Sequence, residues 1–148
     1  MNKEQLIKII RKGEGITTEF KSCRKRLGKD LFETVCAFLN RYGGHLVLGV
    51  EDDGNISGID ESSIKELLNN LITSANNQQK LSPPFYPLPE VYEIDGAKVI
   101  YVFVPESSSV HNTSGRVFDR NQDGDFNVTN NPSHLTLLIL TRLPTKRL

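Results

Sequence analysis

The segment Ala97-Lys98-Val99-Ile100-Tyr101-Val102-Phe103-Val104 constrains this chain more than any other. It is β-branched or aromatic at nearly every position, so it is a strand. Successive side chains of a strand point to opposite faces. Val99, Tyr101 and Phe103 therefore line one face, and Ile100, Val102 and Val104 the other. Both are apolar, a pattern suited to a central strand with packing layers on either side. The turn Asp95-Gly96 joins it to Val91–Ile94 as a hairpin, and Pro105 ends it.

The rest of the 148 residues must supply those layers, and that length suits one domain. Leu6, Ile7, Ile9 and Ile10 predict a short amphipathic helix ended by Gly13 and Gly15, and Thr17–Lys21 a short strand. Asp30 and Glu33 have capping-box spacing ahead of a helix. Its stripe is Leu31, Val35, Phe38 and Leu39, widened by Phe32 and Cys36, running to about Arg41 and stopping at Gly43-Gly44. His45–Val50 is a strand, Asp52–Asn55 a turn and Ile56–Ile59 its return strand. Ser62 or Ser63 caps a helix carrying Ile64, Leu67, Leu68, Leu71 and Ile72. Four of the seven prolines make Ser82–Pro89 an extended loop, and Arg116–Phe118 is a further strand. The expected fold is α+β, a two-layer sandwich with a mixed or antiparallel sheet and two to three helices. One domain spans 1–148, with its core at about 10–130 and a C-terminal extension at 131–148. The apolar run Leu135, Leu137, Leu138, Ile139 and Leu140 closes the sheet, forms a dimer contact or marks truncation from a longer protein.

The formal net charge of zero hides an asymmetry. Residues 1–42 hold ten Lys and Arg against five acids; the remainder holds eight against thirteen. The densest cluster is Lys21, Arg24, Lys25, Arg26 and Lys29, a patch able to meet phosphates and release counterions. The alternative is a solvated face balanced by acids across the fold. No apolar run reaches the length of a membrane span, and the first residues lack the apolar core of a signal peptide. With only Cys23 and Cys36, in no paired motif, the chain is expected to be cytoplasmic and reduced.

Several blocks carry a resemblance. Thr18-Glu19-Phe20-Lys21 precedes Ala37-Phe38-Leu39-Asn40-Arg41-Tyr42-Gly43-Gly44, then Gly49-Val50-Glu51-Asp52-Asp53-Gly54 and Gly58. In this order they resemble the Schlafen AlbA_2 domain, closely over about 10–60 and more loosely to Phe118-Asp119-Arg120. The resemblance implies a DNA-binding domain of a transcriptional regulator, with DNA favoured over RNA and a homodimer possible. Lys21, Arg24, Lys25, Arg26, Lys29, Arg41 and Arg120 are the candidate nucleic-acid contacts. It also implies an alternative, since acids in these blocks form a metal-dependent ribonuclease site in animal relatives. Here Glu14, Glu19 and Asp52 would share Mg²⁺ or Mn²⁺ that activates water, with Lys21 steadying the developing charge. Glu19 and Lys21 share one strand face, and Asp52 leaves the end of another strand, so the acids converge if those strands are neighbours. A third alternative is a dimerisation or sensing domain whose basic cluster is neutralised internally.

Other motifs are weaker. Asp119, Asn121, Asp123, Gly124, Asp125 and Asn127 approach a calcium-loop pattern, but position twelve is Asn130 and the entry is a strand, so a turn between strands is expected. Gly43-Gly44 and Asn40 are assigned structural roles in ending the helix. No phosphate-binding loop supports an ATP site, and His45, His111 and His134 lack zinc spacing. The cations around Cys23 are of the kind that lower a thiol pKa, although a passive thiol is the expectation.

Overall fold

The computed structural model describes residues 1–144. In chain order the elements are α1 (Lys3–Lys12), β1 (Thr18–Lys21), α2 (Leu31–Asn40), β2 (Gly44–Leu48), a 3-10 turn (Glu61–Ser63), α3 (Ile64–Ala75), β3 (Glu90–Ile94), β4 (Ala97–Val104), β5 (Phe118–Asn121), β6 (Gly124–Asn127) and α4 (Pro132–Leu140). The main sheet runs β1-β2-β4-β3, with β1 parallel to β2 and the other pairs antiparallel. It is a mixed sheet in an α+β fold. The parallel pair needs a crossover, which α2 supplies.

Strand β4 lies inside the sheet and is covered on both faces, as its composition requires. Ile100, Val102 and Val104 join Leu46 and Leu48 under α2 and α3, where Val35, Phe38, Leu67 and Leu71 meet them. Val99 and Tyr101 join Phe20, Val47 and Val50 under Leu6 and Ile10 of α1. Phe103, on that second face, stays exposed.

The Gly43-Gly44 step is sterically demanded. Gly43 has φ +72°, and a Cβ there would lie 2.5 Å from the Val104 carbonyl oxygen. A Cβ on Gly44 would collide with the Phe38 ring. The backbone of α2 can thus turn straight into β2 only without side chains at these positions.

Four local expectations change. Ile56–Ile59 forms no strand: β2 ends at Leu48, and Ile59 alone fills the next slot on β4 through a bridge to Lys98. Asp30 does not cap α2, because its carboxylate is taken by Lys21 at 2.9 Å. Ser63 precedes α3 without a side-chain capping bond. The 135–140 run closes no sheet; it belongs to α4, a fourth α-helix, with Leu138 buried and Leu137, Ile139 and Leu140 exposed. Among the described residues, no helix is long and apolar enough to cross a membrane.

Candidate functional site

After β1 the chain enters a basic loop that is held by its main chain. The buried Cys23 thiol donates to the Arg26 carbonyl, and the Asp60 amide donates to the Arg24 carbonyl. Burial pushes the Cys23 thiol up to about 11, so the neighbouring cations do not activate it. With its backbone anchored, the loop turns its side chains outward: Arg24, Lys25, Arg26 and Lys29 are all exposed. Arg24 and Lys25 share Asp60 only at 4.0 and 3.8 Å. Surface pairs of that length contribute little.

This loop forms one wall of a groove of about 790 Å³. Lys25, Arg26 and Lys29 line that wall, and Phe32 and Glu33 come from the first turn of α2. A second side of the groove is lined by one face of α3, with Glu66, Asn70 and Ser74, and by Ser63 just before it. Lys80 and Arg116 close the end. They meet because Thr113 Oγ1 donates to the Lys80 carbonyl at 2.7 Å and Thr113 bridges Arg116. Five cations therefore face two carboxylates, Glu33 and Glu66, and Glu33 is engaged by Arg116 at 3.5 Å. Arg26, Lys29 and Lys80 form no ion pair among the described residues. The N-terminus of α2 adds its positive dipole end to the same space.

The other predicted contacts are used inside the fold. Arg120 is almost fully buried, and each of its five N–H groups has an acceptor. Nε donates to the Ile16 carbonyl (2.8 Å), Nη1 to Asp125 (2.6 Å) and Glu19 (3.3 Å), and Nη2 to the carbonyls of Gly15 (2.8 Å) and Thr18 (3.2 Å). Its guanidinium lies 4.6 Å from the centroid of the Phe38 ring. Arg41 binds the buried Asp119 carboxylate through both Nε and Nη2, and His134 Nε2 meets the same carboxylate at 2.6 Å. Burial alone would raise the Asp119 pKa, but these partners and the Arg120 amide hold it below its ordinary value. Lys21 is mostly covered and paired with Asp30. Lys21, Arg41 and Arg120 are thus ties within the protein, not free cations.

Of the three acids expected to share a metal ion, Glu14 and Glu19 come together and Asp52 does not join them. Glu14 accepts from the Phe20 amide and hydrogen-bonds Glu19. Asp52 stands exposed in the turn that follows β2. Among the described residues, no group of three His, Cys, Asp or Glu side chains is arranged to hold a metal ion. Burial and then the Glu14 hydrogen bond raise the Glu19 pKa to about 7, outweighing Lys21 and Arg120. The charge of Arg120 is already balanced by Asp125 at the shorter distance.

The calcium-like string is the β5–β6 hairpin. Arg120 pairs with Asp125 across the strands on one side, while Asp119 sits opposite Phe126 on the other. This alternation sends Asp119 to Arg41 and His134, and Asp125 to Arg120 and Thr34, so the acids diverge. Asn40 is structural, but its side chain ties distant segments to α2 rather than ending the helix. Its Nδ2 donates to the carbonyls of His111 and Phe118, both at 2.9 Å, and its Oδ1 accepts from the His111 amide at 2.7 Å. Sequence reasoning missed Lys80, Arg116 and the polar face of α3. The only signal for that face is the spacing of 63, 66, 70 and 74, which places one residue per turn on one side of a helix.

A family model described as Schlafen, AlbA_2 matches residues 14–129. The crystal structure of the DIP2311 protein from Corynebacterium diphtheriae superposes with a TM-score of 0.62 at 20% identity, covering 84% of this chain and 29% of that one. At that identity the likeness is one of fold, and this chain spans less than a third of that relative's length. The N-terminal domain of a DNA-helicase-RecG-related protein from Nitrosomonas europaea, solved by NMR, gives 0.52 at 26% identity, covering 69% of this chain and 71% of that one. No curated protein sequence gives a significant match.

Proposed function

The chain belongs to the Schlafen AlbA_2 family, and from that premise we propose that it binds nucleic acid, with the groove of Lys25, Arg26, Lys29, Lys80 and Arg116 as the surface that meets the phosphates. One observation carries the reading. Three separate segments, at 25–29, 80 and 116, deliver cations to a single concave surface while Lys21, Arg41 and Arg120 are neutralised internally. Such a surface attracts a polyanion by counterion release. Arg24, exposed beside the groove, extends it. The name of the Nitrosomonas relative makes DNA the first polymer to try, with RNA alongside.

The contacts are to backbone, so affinity falls with salt. If all five cations meet phosphates, the slope of log K against log salt is about −3.5 to −4.5. Lys29→Ser lowers its magnitude by about 0.7–0.9 without changing the fold. An affinity indifferent to ionic strength between 50 and 200 mM, measured by fluorescence anisotropy, refutes the groove as a phosphate site.

A further inference from the structure

The two long walls of the groove differ in chemistry, and the difference bears on which form of polynucleotide fits. We propose that the groove takes a single strand, with its backbone along Lys25, Arg26 and Lys29 and its bases turned toward α3. This rests on the nucleic-acid reading above and sharpens it.

The α3 wall carries no cation in the groove. It presents Ser63, Glu66, Asn70 and Ser74, at helical intervals of three, four and four residues. That is one hydrogen-bonding group per turn, every ~5.4 Å along the helix. Glu66 would repel phosphate but accepts from the amino groups of cytosine, adenine or guanine, and Asn70 can pair with an adenine edge. Phe32, half-buried against the core, lines the same groove, as does Leu27. An aromatic ring in a groove that carries both cationic and polar side chains is a platform for an unstacked base.

A duplex offers a different surface. Its two backbones face outward and its bases are stacked and paired. Against this groove it would satisfy only the 25–29 wall, place phosphate near Glu66 and leave Phe32 unused. A single strand satisfies all three surfaces at once. DNA and RNA strands share this chemistry, and the test separates them.

The test uses the full chain and 5′-fluorescein 12-mers: dT, dA, rU and rA strands, and the dA·dT duplex, titrated by anisotropy at 50 mM salt. We expect the better single strand to bind at least tenfold tighter than the duplex. Phe32→Leu keeps an apolar contact with the core but removes the ring, and should weaken single-strand binding about tenfold while leaving duplex binding unchanged. Asn70→Ala, on the exposed face of α3, provides a second variant with little risk to folding. It should narrow the difference between dA and dT. Duplex binding equal to or tighter than every single strand, with the salt slope retained, overturns the inference and leaves the nucleic-acid reading standing. Failure of every probe to bind overturns both. Single-strand binding that neither Phe32→Leu nor Asn70→Ala alters also overturns it, since the strand then lies elsewhere.

Discussion

Arg120→Lys keeps a positive charge and removes the guanidinium fork, so it separates a structural cation from a phosphate contact. Arginine at this position makes five donations, three to main-chain carbonyls and two to carboxylates. A lysine ammonium has three donors on a flexible stem. At least two of the five acceptors lose their partner, at about 1–3 kcal/mol for each one buried. Loss of the guanidinium over Phe38 adds about 0.5–1 kcal/mol. The expected destabilisation is about 2.5–7 kcal/mol, a large share of the 5–15 kcal/mol typical of a domain. Urea denaturation at pH 7, followed by far-UV circular dichroism, measures it as a fall in midpoint of about 1.2–3.5 M at a slope near 2 kcal/mol/M. Nucleic-acid affinity, measured at a urea-free temperature where the variant is still folded, should stay within about twofold of wild type. A variant with unchanged midpoint and lost affinity would refute the reasoning and return Arg120 to the binding surface.

Three further outcomes are expected. Folded Glu19 holds its proton to about pH 7 against about 4.5 when unfolded. The folded state therefore binds more protons between those values, and the stability contributed is full below pH 4.5 and lost as pH rises through 7, by at most about 3 kcal/mol. The lowered pKa values of His45 and His111 act in the opposite direction near 6.5, so the quantity to follow is the difference in urea stability between wild type and Glu19→Gln from pH 4.5 to 8; a flat difference contradicts the assignment. Asn40→Ala strips partners from the His111 amide and from two carbonyls, and should cost about 3–5 kcal/mol by the same denaturation; a cost below 1 kcal/mol is incompatible with the network. Gly43→Ala forces a side chain onto a positive φ and into the Val104 carbonyl, and should lower stability by about 2–4 kcal/mol; a neutral result excludes the tight step between α2 and β2.

The parts legible in the sequence are those set by neighbours along the chain. The two apolar faces of β4 follow from alternation, the stripe of α2 from helical period, and the stop at Gly43-Gly44 from glycine chemistry. What was not legible depends on partners far away in sequence. Arg120 finds Gly15 and Glu19 more than a hundred residues before it, and no local pattern distinguishes a buried arginine from a free one. The same distance hides the meeting of Lys80 and Arg116 with the 25–29 loop. The segment Pro132–Leu140 failed for another reason. Leucine and isoleucine lie all round it, so no period points to a helix, and Asn131, which caps it by accepting from the His134 amide, is the better signal.

How the basic residues are held explains why the charge asymmetry of the first 42 residues was only partly informative. Lys21 and Arg41 lie at the ends of β1 and α2, where carboxylates from α2's approach and from β5 reach their side chains. Their charge is consumed in joining elements. Arg24, Lys25, Arg26 and Lys29 belong to a loop fixed through its carbonyls and through Cys23, so its shape does not depend on what those side chains touch. Substitutions therefore divide by the kind of anchor. Neutralising a loop cation should change affinity and salt slope at constant stability, whereas neutralising Arg41 leaves the buried Asp119 carboxylate with only His134 and the Arg120 amide and should destabilise the fold by up to about 3–5 kcal/mol. The loop is free to be basic because the fold is secured beneath it, and its charge is available to a polyanion for that same reason.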